Sequence, residues 1–134
     1  MDKKFFVPYK TAQQLKEKGY PQEFAVGYYY KMVDEFVFVH SRYVPERVVK
    51  GQLTELGVLY TATPTYHEVL DWLEENGIYI TTLWNIGETD KEDTYEIWWK
   101  CFVDITLHEE QVTSVYHTRE EALNDGIIKA LEML

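Results

Sequence analysis

Between Tyr95 and Leu107 the chain reads Tyr-Glu-Ile-Trp-Trp-Lys-Cys-Phe-Val-Asp-Ile-Thr-Leu, a run that alternates with period two. Ile97, Trp99, Cys101, Val103, Ile105 and Leu107 fall on one side. Glu96, Trp98, Lys100, Phe102, Asp104 and Thr106 fall on the other. Helical geometry would spread the first set around a cylinder, whereas a strand collects it into one apolar stripe. The segment predicts a long strand near the middle of a sheet, with one face in the core and the other mixed.

Three helices announce themselves by their caps. Thr11-Ala12-Gln13-Gln14, Thr65-Tyr66-His67-Glu68 and Thr118-Arg119-Glu120-Glu121 each fit a capping box, in which a Thr hydroxyl and a Gln or Glu three residues on satisfy each other's backbone N–H groups. The first helix is short, docks through Ala12 and Leu15, and is ended by Gly19 with Pro21 behind it. The second presents Tyr66, Val69, Leu70 and Leu73 and ends at Asn76-Gly77. The third faces the sheet with Ala122, Leu123, Ile127, Ala130, Leu131 and Leu134.

Strands fill the spaces between. Phe24 to Met32 and Phe36 to Val44 read as a hairpin with Asp34-Glu35 near its turn. Phe24, Val26, Tyr28, Tyr30 and Met32 share a face, and Gly27 lies on the other, where a neighbour approaches closely. Residues 45–63 are punctuated by Pro45, Gly51 and Gly57, with a short strand near their end. Ile78 to Trp84 is a strand, Gly87 to Asp93 a charged turn, and Val112 to His117 a further strand after a Glu109-Glu110 turn. The fold class expected is α+β: a mainly antiparallel sheet with two or three helices packed on one face. At 134 residues the chain is sized for a single domain, 1–134, with sub-parts 1–60 (helix plus hairpin) and 64–134 (helix, three strands, helix).

Charge narrows the partners. Residues 1–50 hold nine Lys/Arg against six Asp/Glu, and residues 51–134 hold four against seventeen, giving +3 and −13 and the overall −10. A chain this acidic is repelled by phosphate backbones, which argues against nucleic-acid binding. The single cysteine, Cys101, has no intramolecular disulfide partner and sits in the apolar stripe as a small hydrophobe. No apolar run approaches a membrane span and no signal peptide opens the chain, so a cytoplasmic protein is expected.

No pattern of catalytic or metal-binding residues emerges. His40, His67, His108 and His117 stand in no His-x-x-x-His or Cys-x-x-Cys spacing. Phosphate-binding glycine loops and the Gly-x-Ser-x-Gly elbow are missing as well. Asp104 is the one carboxylate inside the apolar strand, and solvent or Lys100 explains it as well as chemistry does. No catalytic residue, metal or cofactor is therefore assigned. Aromatic residues are 16% of the chain, which either fill strand-rich cores or form a binding patch. The candidate binding surface comprises Tyr28, Tyr30, His40, Arg42, Trp98 and Phe102. The first four are placed to converge between sheet and helices, with His40 and Arg42 on one strand face. The last two form a non-core aromatic surface on the long strand.

Three segments carry a resemblance. They are Val7-Pro-Tyr-Lys-Thr-Ala-Gln-Gln-Leu-Lys-Glu-Lys-Gly-Tyr, Ala62-Thr-Pro-Thr-Tyr-His-Glu-Val-Leu-Asp-Trp-Leu, and Thr118-Arg-Glu-Glu-Ala-Leu continuing to Lys129-Ala-Leu. In this order the chain resembles small proteins of unknown function from bacterial phages and mobile elements. The resemblance departs chiefly at residues 45–60 and implies an accessory protein that acts by binding host proteins. Three functions stay open: a non-enzymatic interaction module whose acidic half meets a basic host protein, a structural homo-oligomer such as a homodimer, and a small-ligand binder.

Overall fold

The computed structural model describes residues 3–105 and 110–134. It is α+β, with four helices and two antiparallel sheets of four and three strands. The chain divides into two compact units, residues 1–68 and 69–134, each with its own sheet. The division falls inside a helix, Tyr66–Glu75.

The first unit opens with a 3-10 turn, Lys3–Phe5, and the helix Tyr9–Glu17 (α1). α1 starts earlier than its sequence suggested. Pro8 occupies the N-cap with no side-chain hydrogen bond, and Thr11 is buried inside the helix instead of capping it. Proline's fixed φ already suits a helix start, and Thr11 packs into the interior. Gly19 ends α1 as expected. It takes φ +93, while Gly19 N–H donates to Lys16 O and Tyr20 N–H to Leu15 O, the paired bonds of a Schellman motif.

Gly27–Met32 (β1), Glu35–His40 (β2), Thr54–Glu55 (β3) and Val58–Thr63 (β4) form the first sheet in the order β2-β1-β4-β3. The expected hairpin is present but shorter at both ends. Phe24 lies outside it at φ 57 and is exposed, so it does not share the face of Tyr28. The turn is Val33-Asp34, since Met32 pairs with Glu35. Residues 45–53 supply the short helix Glu46–Val49 (α2).

Both faces of this sheet are covered. On one, Phe6 packs on Phe38 and Tyr9 stacks on Phe36, with Tyr29 and Thr63 hydroxyls donating to Val7 O at 3.2 and 2.9 Å. On the other, Tyr28 and Ala62 bury against Val44 and Val48. Gly27 is the expected close approach: a Cβ there would lie 2.6 Å from the Phe38 ring.

In the second unit, residues 69–75 continue the helix Tyr66–Glu75 (α3), whose cap is the predicted one. Thr65 Oγ1 accepts from Glu68 N–H, and Glu68 Oε1 accepts from Thr65 N–H. Ile78–Glu88 (β5), Tyr95–Ile105 (β6) and Gln111–Val112 (β7) make the sheet β5-β6-β7, followed by Arg119–Glu132 (α4). Thr118 caps α4 by accepting from Glu121 N–H at 3.2 Å. β5 runs past the predicted Trp84, pairing with β6 along its whole length from Ile78↔Ile105 to Glu88↔Tyr95. β7 is shorter than the expected Val112–His117, which survives beyond it as the Trp99↔Tyr116 bridge. The predicted reach of the long strand to Leu107, His108, and the Glu109 half of the next turn lie outside the described residues. Of the expected α4 face, Ala122, Leu123, Ile127, Ala130 and Leu131 are buried, while Leu134 follows the helix and is exposed.

Candidate functional site

The long hairpin β5–β6 outruns its cover. Residues opposite each other in an antiparallel pair share a face. One face therefore collects Ile78, Ile80, Thr82, Trp84 and Ile86 with Val103, Cys101, Trp99 and Ile97. α4 sits over the inner part of that face. Gly126 lets it approach so closely that a Cβ there would lie 3.1 Å from Cys101 Cβ and 3.5 Å from Ile80. Ile78, Cys101 and Val103 are fully buried beneath. Eleven residues of strand extend roughly 37 Å, whereas fourteen of helix extend roughly 21 Å. Even laid along the strands, α4 leaves the outer part bare.

There the stripe meets solvent. Trp84, Ile86 and Ile97 are 55%, 54% and 51% exposed, and Tyr95 is exposed beside them. The sequence placed Ile97 and Trp99 in the core with Cys101 and Val103. Their face is right, but the core stops one residue pair before Trp99. The opposite face is open as well. Leu83 is exposed, and the Trp98 indole folds across onto Gly87, where a Cβ would sit 2.8 Å from its Nε1. The Trp98 ring also stands 4.2 Å from that of His117. Around these residues lies a mainly apolar concavity of about 460 Å³, to whose lining Val115 also contributes.

The tip is acidic. Between Ile86 and Ile97 lie Glu88, Asp90, Glu92, Asp93 and Glu96 against a single cation, Lys91. Thr89 and Thr94 close this turn by a side-chain hydrogen bond and by Thr89 N–H donating to Thr94 O. The second unit as a whole carries four Lys/Arg against fifteen Asp/Glu, a net −11. An apolar ribbon with an acidic rim is thus held out by a hairpin anchored under α4.

The residues singled out from sequence are not brought together. Tyr28 is a core residue whose hydroxyl donates to Gln22 O and accepts from Ala25 N–H, and burial pushes its pKa up. Tyr30 shares its face and packs on Tyr60. His40 is on the opposite face, because it pairs with Gly27, and its Nδ1 accepts from Arg42 N–H. Arg42 has left the strand for the 3-10 turn Ser41–Tyr43 and lies over the Tyr43 ring. The expected His40 and Arg42 face, and a pocket lined by these four, are not formed. Trp98 and Phe102 do share the face away from α4, with Lys100 Nζ 5.3 Å over the Phe102 ring. Sequence reasoning missed Trp84, Ile86 and Ile97 as surface. The signal available was the excess of strand length over helix length.

Reactive groups are quiet. Cys101 is enclosed, and its thiol is pushed up to about 12, chiefly by burial, with Arg119 lowering and Asp125 raising it. Tyr116 donates to Asp125 Oδ2 at 2.9 Å and is raised first by that bond, which ties the segment before α4 to the helix. Among the described residues no group of three or more His, Cys, Asp and Glu could hold a metal ion, and no helix is long and apolar enough to cross a membrane. Comparison with protein-family models, with curated proteins and with solved structures finds no match.

Proposed function

We propose that this protein is a non-enzymatic protein-interaction module of the cytoplasm that docks a basic partner on the outer half of its β5–β6 hairpin. The observation that carries the reading is the apolar stripe continuing past α4 into solvent at Trp84, Ile86 and Ile97. A two-stranded ribbon wet on both faces is of marginal stability alone, and contiguous exposed apolar surface marks interaction sites. The acidic rim selects the sign of the partner's charge. The resemblance to phage and mobile-element proteins supplies a setting in which that partner is a host protein.

The test is capture of partners on the tagged full chain at low and high salt, beside a Trp84→Ser/Ile97→Ser variant. The reading expects a stoichiometric basic protein that is lost at high salt and lost by the variant, while the variant keeps its far-ultraviolet spectrum. A partner that binds both forms equally places the contact elsewhere and refutes the reading. The long edge of β5, which pairs with no second strand among the described residues, favours a second reading, a homodimer, which light scattering of the free protein separates from the first.

A further inference from the structure

We infer that the outer edge of β5 is a strand-addition site, and that the docked element is an extended basic segment of the partner lying antiparallel or parallel to Ile78–Glu88. This deepens the proposed interaction function and rests on it. β5 ends its sheet: among the described residues it pairs with β6 and with no other strand. Its outer edge presents the backbone N–H and C=O groups of alternate residues over eleven positions, of which Ile86 N–H already donates to the Asn85 side-chain Oδ1 at 2.8 Å and must exchange that bond for one to an added strand. Natural edge strands are guarded by lysines, prolines, bulges or brevity. β5 has none of these. It contains no Pro and no Lys, its one charge is Glu88 at the far end, and its register with β6 is unbroken.

The side chains state what the added strand contains. Strand addition draws affinity from main-chain bonds and specificity from alternate side chains. On the α4 side an incoming strand meets Ile80, Thr82, Trp84 and Ile86, so apolar residues are favoured at alternate positions there, most of all beside Trp84 and Ile86. At the turn it meets Glu88, Asp90, Glu92 and Asp93, so Lys or Arg gathers at that end. A second copy of this chain fits worse. Its own β5 offers no cation and brings a unit of net −11 against one of the same sign.

The experiment uses a displayed library of random peptides about as long as β5, selected on the immobilised full chain at low salt. The enriched peptides are expected to alternate apolar residues with others and to carry excess Lys/Arg at one end. A selected peptide is then remade with single backbone N-methyl groups. Methylation at every second amide is expected to weaken binding about tenfold or more, and at the intervening amides about twofold or less, since only one set faces the edge. Hydrogen exchange is expected to slow at alternate amides of β5. If peptides bind and lose affinity to Trp84→Ser/Ile97→Ser but show no alternation under methylation, strand addition is overturned while face docking stands. If no peptide is enriched, or binding ignores that variant, both fall. If the free protein is a dimer with its β5 amides already protected, the occupant is a second copy and the inference of a basic partner segment is overturned.

Discussion

Val103 and Ile97 lie on the same strand and the same face, six residues apart, yet the structure gives them different neighbours. Val103 is fully buried near α4, and Ile97 is half exposed beyond it. Val103→Ala removes two carbons from a closed interior. At about 0.8 kcal/mol per buried carbon that is about 1.6 kcal/mol, and the cavity left behind raises it to ~2.5 kcal/mol. Ile97→Ala removes three carbons, about 2.4 kcal/mol if all were withdrawn from water. With half the side chain already wet and no closed cavity to leave, the expected cost is ~1 kcal/mol. The assay is urea unfolding followed by tryptophan fluorescence. All four tryptophans, Trp72, Trp84, Trp98 and Trp99, belong to the second unit, so the signal reports that unit by itself. The larger truncation is thus predicted to be the milder one. Equal costs, or a larger cost at Ile97, would mean that the outer stripe is covered in the native protein, and the docking surface would not exist.

Three further outcomes follow from the same structure. Cys101 is expected to be unreactive toward a thiol reagent at neutral pH and to react on unfolding; because its folded-state pKa is raised to about 12, the stability it affects is fully present below the unfolded value near 9 and is lost as pH rises above that value, which urea titrations from neutral pH upward will read. Leu56→Asn is expected to stabilise the first unit by about 1 kcal/mol in thermal unfolding, since Leu56 is 95% exposed at φ 50 beside Gly57 at φ 79, a tight turn that favours Asn-Gly; a lower midpoint would contradict the turn. Gly27→Ala is expected to destabilise that unit by about 1–3 kcal/mol, because its Cβ would enter the Phe38 ring, and no change would show that the ring moves freely aside.

Much of the fold was legible where the signal is local. The caps at Thr65 and Thr118, the glycine stops at Gly19 and Gly77 and the alternation of Tyr95–Ile105 each depend on a few neighbouring residues, and the structure keeps them all. Thr11 misled because a capping pattern does not reveal that Pro8 starts the helix first. Phe24 misled because an aromatic in register with Tyr28 gives no sign of a left-handed backbone. Residues 45–63 were the hardest to read, because the four-residue helix and two-residue strand that precede β4 are too short to show any period. The candidate site was half legible. Period two names the two faces of β6 correctly, but how far a face is covered depends on the length and placement of α4, which no residue of β6 encodes.

Binding at the bare outer half of β5–β6 leaves a signature in the backbone amides of that hairpin. Hydrogen exchange of the full chain with and without its captured partner reads that signature. Slowed exchange is expected across residues 83–88 and 95–99, with residues 3–68 unchanged. Slowed exchange confined to residues 3–68, with the hairpin amides unaffected, would contradict binding at the hairpin.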